Sequence, residues 1–133
     1  MSEPVFLTFA EVQTLHVLSL ERYGGLHGVR DQGGAESAIE QPKNTFYYGG
    51  GDLFDVAAAY AFHIAQAQAF LDGNKRTGVA AALAFLERNK LVAFYNWEEL
   101  YRVMIEIAER RCGKEALAKI FRAAFPLGAG SAD

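Results

Sequence analysis

Two apolar runs dominate the hydrophobic pattern. From Leu53 to Ala69 most positions are Ala, Phe, Val, Ile, Leu or Tyr, and from Val79 to Leu86 no side chain is polar. Segments without a wet face have to lie inside, so both predict central helices. They are joined by Gln68-Ala69-Phe70-Leu71-Asp72-Gly73-Asn74-Lys75-Arg76-Thr77-Gly78, a short polar crossing. Gly73 predicts a sharp turn, and Asn74 is expected to be the N-cap of a helix running to about Asn89.

The rest of the chain is expected to wrap this pair. Val5-Phe6-Leu7 reads as an extended entry. Thr8 with Glu11 forms a T-x-x-E capping box, followed by Phe9, Val12, Leu15 and Leu18 at helical spacing up to Glu21, before Gly24-Gly25. His16 falls within this pattern and reads as structural. Gly24 to Gly34 is a glycine-rich connection carrying His27, Arg30 and Asp31, and reads either as a solvated loop with a local Arg30–Asp31 pairing or as a segment that folds against the active site. A short helix, Ala35 to Gln41, is expected to end at Pro42. Lys43, Asn44, Thr45, Phe46, Tyr47 and Tyr48 alternate and are aromatic enough to predict a short hairpin or strand, with Phe46 covering the core. After the Gly49-Gly50-Gly51 hinge, Asp52 is a natural N-cap. Leu91 to Phe94 reads as a brief extended piece, and Asn96 with Glu99 as an N-x-x-E start. The next helix has an apolar face of Leu100, Val103, Met104, Ile107 and Ala108 and a wet face of Glu98, Arg102, Glu106 and Arg110, and ends at Cys112-Gly113. Lys114 to Phe125, stopped by Pro126, is the last. The total is about six helices, an all-α fold with at most one hairpin.

Composition narrows the class. A chain of 133 residues that is 51% hydrophobic and 22% charged fits a single globular domain, residues 1–127, with a small polar tail at 128–133. A net charge of −3 argues against nucleic acid as a general partner. The lone Cys112 excludes an internal disulfide and suits a reducing cytoplasm. It reads as a small hydrophobe. No basic and apolar leader opens the sequence, and Asp55, His63 and Gln66 interrupt the apolar run, so neither secretion nor membrane spanning is expected.

The chemistry concentrates in the crossing. Lys75 and Arg76 sit where the second central helix begins, although the helix dipole favours acids there. A bound polyanion reverses that penalty and also satisfies the helix's free amide N–H groups. Asp72 is a hard oxygen ligand of the type that holds Mg²⁺ beside phosphates. Together Asp72, Asn74, Lys75 and Arg76 suit a nucleoside triphosphate. A plain turn with solvated cations has the same composition, but such a turn seldom joins two fully buried helices.

Phe70-Leu71-Asp72-Gly73-Asn74-Lys75-Arg76-Thr77 closely resembles the signature of the Fic/Doc family, and its Lys-Arg-Thr ending resembles the Doc branch. The likeness extends through Gly24-Gly25, Gly28-Val29-Arg30-Asp31, Glu36-Ser37-Ala38 and Pro42 to Tyr48, covering roughly residues 20–95. It implies the all-α Fic fold with a β-hairpin flap at Lys43 to Tyr47 that pairs with the target by strand addition. It also implies a kinase of toxin–antitoxin systems that uses ATP and Mg²⁺ to phosphorylate a threonine of elongation factor Tu. Gly73, Asn74, Lys75 and Arg76 would hold phosphates, with Asp72 orienting Mg²⁺ or a neighbouring group.

One position departs from the family. Where the signature opens with a general-base His, this chain has Gln68, whose carboxamide can hydrogen-bond a hydroxyl but cannot take its proton. His63 is a poor substitute, because five residues at about 100° each carry it well round the helix. Gln68 therefore reads as a natural loss of the base or as a replacement that makes a toxic protein tolerable to its host. The AMP-transferring Fic enzymes resemble the chain too, but typically have Gly at the Lys75 position and Arg at the Val79 position. The S/T-x-x-x-E-G/N inhibitory signature of self-restrained Fic enzymes does not occur here, so restraint by an antitoxin in trans is expected. AMP transfer, and a non-catalytic homologue that binds nucleotide and antitoxin, are the alternative readings.

Overall fold

A computed structural model describes residues 3–91 and 96–124. Six helices follow one another: α1 (Phe9–Tyr23), α2 (Gln32–Tyr47), α3 (Leu53–Ala67), α4 (Asn74–Arg88), α5 (Trp97–Ala108) and α6 (Lys114–Ala123). α3 is the axis. It packs against α4, α2, α6 and α5, and its residues Val56 to Ala61 are fully buried. Its many alanines let neighbouring backbones approach closely. The closest approach is at Gly78 of α4, where an added Cβ would lie 2.7 Å from the Ala61 carbonyl oxygen. The expected buried pair of central helices is therefore present, with α1 laid across α4.

Side chains fix the ends of these elements. The Thr8–Glu11 capping box opens α1, and Glu11 also pairs with Arg88 at the far end of α4. Asp52 caps α3 in a reciprocal arrangement with Asp55, and Arg122 of α6 forks onto both carboxylates. Asn96 caps α5 through the Glu99 amide. The extended entry is held like a strand without a sheet. Val5 exchanges hydrogen bonds of 2.8 and 3.1 Å with the Asn89 side chain, and the Leu7 amide donates to the buried Tyr60 hydroxyl at 2.8 Å. Burial pushes that phenol's pKa up to about 12.

The largest difference from the sequence-based expectation is at α2. Lys43, Asn44, Thr45, Phe46 and Tyr47 form no hairpin; they continue the helix, which starts at Gln32 behind the Asp31 N-cap and carries Pro42 in its interior. Proline removes one donor from the ladder, but here its ring is buried against the core. The helix then brings Phe46 and Tyr47 onto Phe6, with ring centroids 6.1 and 5.9 Å from it and 5.2 Å from each other. Packing of the aromatics outweighs the proline penalty, and Phe46 covers the core as expected.

One helix end also differs, whereas α4 ends beside Asn89 as expected. α5 stops at Ala108 rather than at Cys112, because Arg110 adopts φ 61° and the Arg110 and Arg111 amides close back onto Ile107 and Glu106. Lys90, at φ 70°, ends α4 in the same way, and its neighbour Leu91 donates to the Leu86 carbonyl. The predicted extended piece beyond Leu91, the Phe125-Pro126 stop and the 128–133 tail lie outside the described residues.

The α3–α4 contact gives a test with a definite sign. Alanine has a helix propensity about 1 kcal/mol better than glycine. At Gly78, however, the added methyl meets backbone, and Gly78→Ala is expected to destabilise the protein by about 1–3 kcal/mol. Urea unfolding that shows the variant equal or more stable contradicts the close approach.

Candidate functional site

The crossing between α3 and α4 is built from unusual backbone and closed by one side chain. Gln68 ends α3 in the left-handed region (φ 47°, ψ 41°), and Gly73 precedes α4 at φ 74°. Between them Phe70 turns inward, 2% exposed, and stacks on the His16 ring at 4.0 Å. Asn74 does not take the expected N-cap role. Gly73 occupies that position, and the Asn74 carboxamide turns back onto Phe70, accepting from its N–H at 3.1 Å and donating to its carbonyl at 3.0 Å. The reason is local. Once the backbone has reversed at Gly73, both polar atoms of Phe70 need partners, and Asn offers one donor and one acceptor at the right spacing.

The glycine-rich connection folds against this loop, so of its two readings the second is the one observed. Arg30 and Asp31 N–H groups donate to the Ala69 carbonyl at 2.7 and 3.1 Å, and Leu71 N–H donates to the Gly28 carbonyl at 3.1 Å. Val29 and Phe70 form an isolated antiparallel bridge. The Leu26 amide donates to the Asp72 carboxylate at 3.1 Å, and the Asp72 carbonyl accepts from His16 Nε2 at 2.8 Å. Glycine is required where the strands meet. A Cβ at Gly28, at φ 128°, would lie 2.9 Å from Leu71. His16 is thus structural, as read from its spacing, but what it supports is the loop itself.

Because Asn74 is occupied with Phe70, no side chain caps α4. Its first-turn amides have no intrahelical partner, and the positive end of the dipole faces outward. They open on a cavity of about 380 Å³ lined by Asp72, Gly73, Asn74, Lys75, Arg76 and residues of α1 and α5. Arg76 is drawn over this cavity. Its guanidinium lies 5.1 Å from the Tyr23 ring centroid and donates to the Gly24 carbonyl at 3.4 Å. Lys75 is exposed on the rim. Both cations therefore border one concave space at a helix N-terminus, a geometry that takes a polyanion. No cluster of three or more metal-ligating side chains occurs among the described residues. Asp72 alone supplies a carboxylate, each of whose oxygens accepts a single backbone N–H, from Leu26 and Gly73. The remaining lone pairs fit Mg²⁺ shared with substrate phosphates, the usual manner of its binding.

Other sequence-predicted residues lie elsewhere. Gln68 is exposed at the C-terminus of α3, next to the loop. Lys43 to Tyr47 are at the far end. α2 meets the loop through Asp31 and the start of α3 through Thr45, whose carbonyl accepts from Gly51, so about 22 Å of helix separates them from Asp72. His63 faces α6, with Nε2 at 3.1 Å from Lys114 Nζ. Desolvation, reinforced by the Lys114 charge, brings its pKa down to about 4, so the ring stays neutral as an acceptor between helices. Tyr23, which holds Arg76, was not singled out in the sequence, because nothing local distinguishes it from other exposed aromatics.

A buried helical hairpin whose junction exposes uncapped amides beside two cations defines an all-α protein whose central loop has the chemistry of an anion site. A family model described as the Fic/DOC family matches residues 6–86, more than half of the chain. The chain is similar to Protein kinase doc of Escherichia phage P1, 41% identical over 85 residues, which cover 63% of this chain and 68% of that protein. It is also similar to Toxin Doc of Mycolicibacterium smegmatis, 38% identical over 102 residues, covering 72% and 77%. The chain belongs to the Fic/DOC family, on its Doc branch.

The His63 environment predicts a pH dependence. The unfolded ring titrates near 6.5 and the folded one near 4, so the unfolded chain takes up the proton first as pH falls. Stability is full above pH 6.5 and declines between 6.5 and 4, by on the order of 1–2 kcal/mol once partial exposure is allowed for. His63→Gln keeps an acceptor for Lys114 and should lose less stability over that interval. Urea midpoints at pH 7.5 and 4.5 that fall equally in both proteins contradict this account.

Proposed function

We propose that this chain is a Doc-like toxin, an ATP-dependent protein phosphotransferase that inactivates a translation factor by phosphorylating a hydroxyl side chain. The observation that carries the reading is the uncapped N-terminus of α4, opening with Lys75 and Arg76 on one cavity. There the phosphates of ATP would rest on the amides of Asn74 to Arg76, with both cations offsetting charge that develops during transfer. Asp72 would hold Mg²⁺, which would supply positive charge to offset the negative charge of the phosphates. The names of the two similar proteins, a protein kinase and a toxin, support the same class. On this reading the target is a threonine of elongation factor Tu, and an antitoxin restrains the protein in trans in the cytoplasm. No helix among the described residues is long and apolar enough to cross a membrane.

Gln68 supports a second reading, a homologue that keeps the nucleotide and antitoxin sites without catalysis. Its carboxamide can orient the attacking hydroxyl but cannot deprotonate it. The left-handed backbone at this position suits His as well as Gln, since His is among the residues enriched there. Lys75, with Val79 buried where AMP-transferring relatives have Arg, favours presentation of the γ-phosphate over the α-phosphate.

The test uses the chain and its Gln68→His variant with purified elongation factor Tu and ATP labelled at either the α or the γ position. Label from γ-ATP is expected on the factor, at least about a hundredfold faster with Gln68→His, the lower range for a general base. Transfer of the α label instead would establish AMP transfer. Equal rates for the two proteins would show that position 68 carries no base function, and an inert Gln68→His protein would leave the non-catalytic reading.

A further inference from the structure

A second cavity adjoins the first. It measures about 480 Å³ and lies between α1 and α5 on a floor of α4, and Tyr23, Arg76 and Tyr101 border both spaces. Its character is different. Leu15, Leu18 and Val79 wall it, and the Trp97 and Tyr101 rings, 6.0 Å apart and tilted by 31°, form its outer edge. Leu18 is 54% exposed and Trp97 is 49% exposed. An inorganic polyphosphate at the α4 N-terminus would leave this apolar and aromatic surface unused.

The lining also holds an unpaired polar group. Ser19 is nine-tenths buried, and its Oγ has no hydrogen-bond partner. A buried hydroxyl without a partner costs about 1–3 kcal/mol; the Oγ is itself covered, so a ligand edge recovers this only when Ser19 rotates toward the groove. The space thus combines apolar walls, π faces, one unsatisfied hydroxyl and an open junction to an anion cradle. Those are the requirements of a flat heteroaromatic ring attached to a phosphate chain.

We propose that the α1–α5 groove is the seat of the nucleoside, with the base against Trp97 and Tyr101 and beside Ser19, and that Arg76 marks the passage to the phosphates. This rests on the nucleotide reading above and adds where the base lies and which residues select it. The argument for a nucleotide over a partner's helix is the shared border. One ligand occupying both spaces uses the cations and the rings together.

Trp97 is the only tryptophan in the chain, so its emission reports on the groove directly. The chain is titrated with Mg-ATP and, separately, with Mg-tripolyphosphate, and binding is followed by calorimetry and by Trp97 fluorescence. Both ligands are expected to bind, and only ATP to change the emission. Trp97→Ala is expected to weaken ATP roughly tenfold or more while leaving tripolyphosphate within about twofold, since base stacking is lost and the phosphate cradle is not. The retained tripolyphosphate affinity shows that the variant is folded. ATP that saturates by calorimetry with no change in Trp97 emission, and with unchanged affinity in Trp97→Ala, assigns the groove to another occupant and overturns the inference. If neither ligand binds, the nucleotide reading itself fails and this inference falls with it.

Discussion

The contact between Gly78 and Ala61 sets the rest of the architecture. With no side chain at position 78, α4 lies directly on the backbone of α3, and the two helices share one core from Val56 to Leu86. Helices this close can be joined only by a tight reversal. That reversal forces left-handed backbone at Gln68 and Gly73, and it leaves the polar atoms of Phe70 facing inward. Asn74 satisfies them, and in doing so it is withdrawn from capping its own helix. The anion-binding geometry is therefore a by-product of close packing. The same tight junction that stabilises the centre leaves helix amides unsatisfied at its surface.

Electrostatics sharpen the point. The other helix starts that carry a side-chain cap use Thr, Asp or Asn, and the first turns of α1, α3, α5 and α6 hold Glu or Asp. Among these six helices α4 alone combines two first-turn cations, Lys75 and Arg76, with neither an acid nor a side-chain cap. Each misplaced cation costs a few tenths to about 1 kcal/mol against the dipole. α6 also lacks a side-chain cap, but its first turn holds Glu115; α4 has neither, and a bound anion would supply what is missing.

Most of the architecture was legible in the sequence because it is written in long periodic runs. The two central helices, the Thr8 and Asp52 caps, the amphipathic α5 and the family signature all follow from residue type and spacing. What escaped depends on tertiary contact. The turn-breaking signal of Pro42 was outweighed by burial of its ring and by the stacking of Phe46 and Tyr47 on Phe6, a partner some forty residues away. The end of α5 at Arg110 uses a left-handed Arg where glycine is the readable signal. The site residues Asp72 to Arg76 could be named from composition, but their arrangement could not. That His16 holds the Asp72 carbonyl and that Tyr23 carries Arg76 are pairings over distances the local pattern does not encode, and the four-residue clamp of Asn74 on Phe70 depends on the left-handed turn at Gly73.

The connection from Gly24 to Arg30 is exposed along its whole length, yet its backbone holds Ala69, Leu71 and Asp72 in place. It has almost no buried surface of its own to keep it ordered, so its local opening is far less costly than unfolding the helical core. Order in this strap and order in the anion cradle are consequently one thermodynamic quantity. Anything that grips the strap tightens the cradle, and by reciprocity anything that fills the cradle tightens the strap.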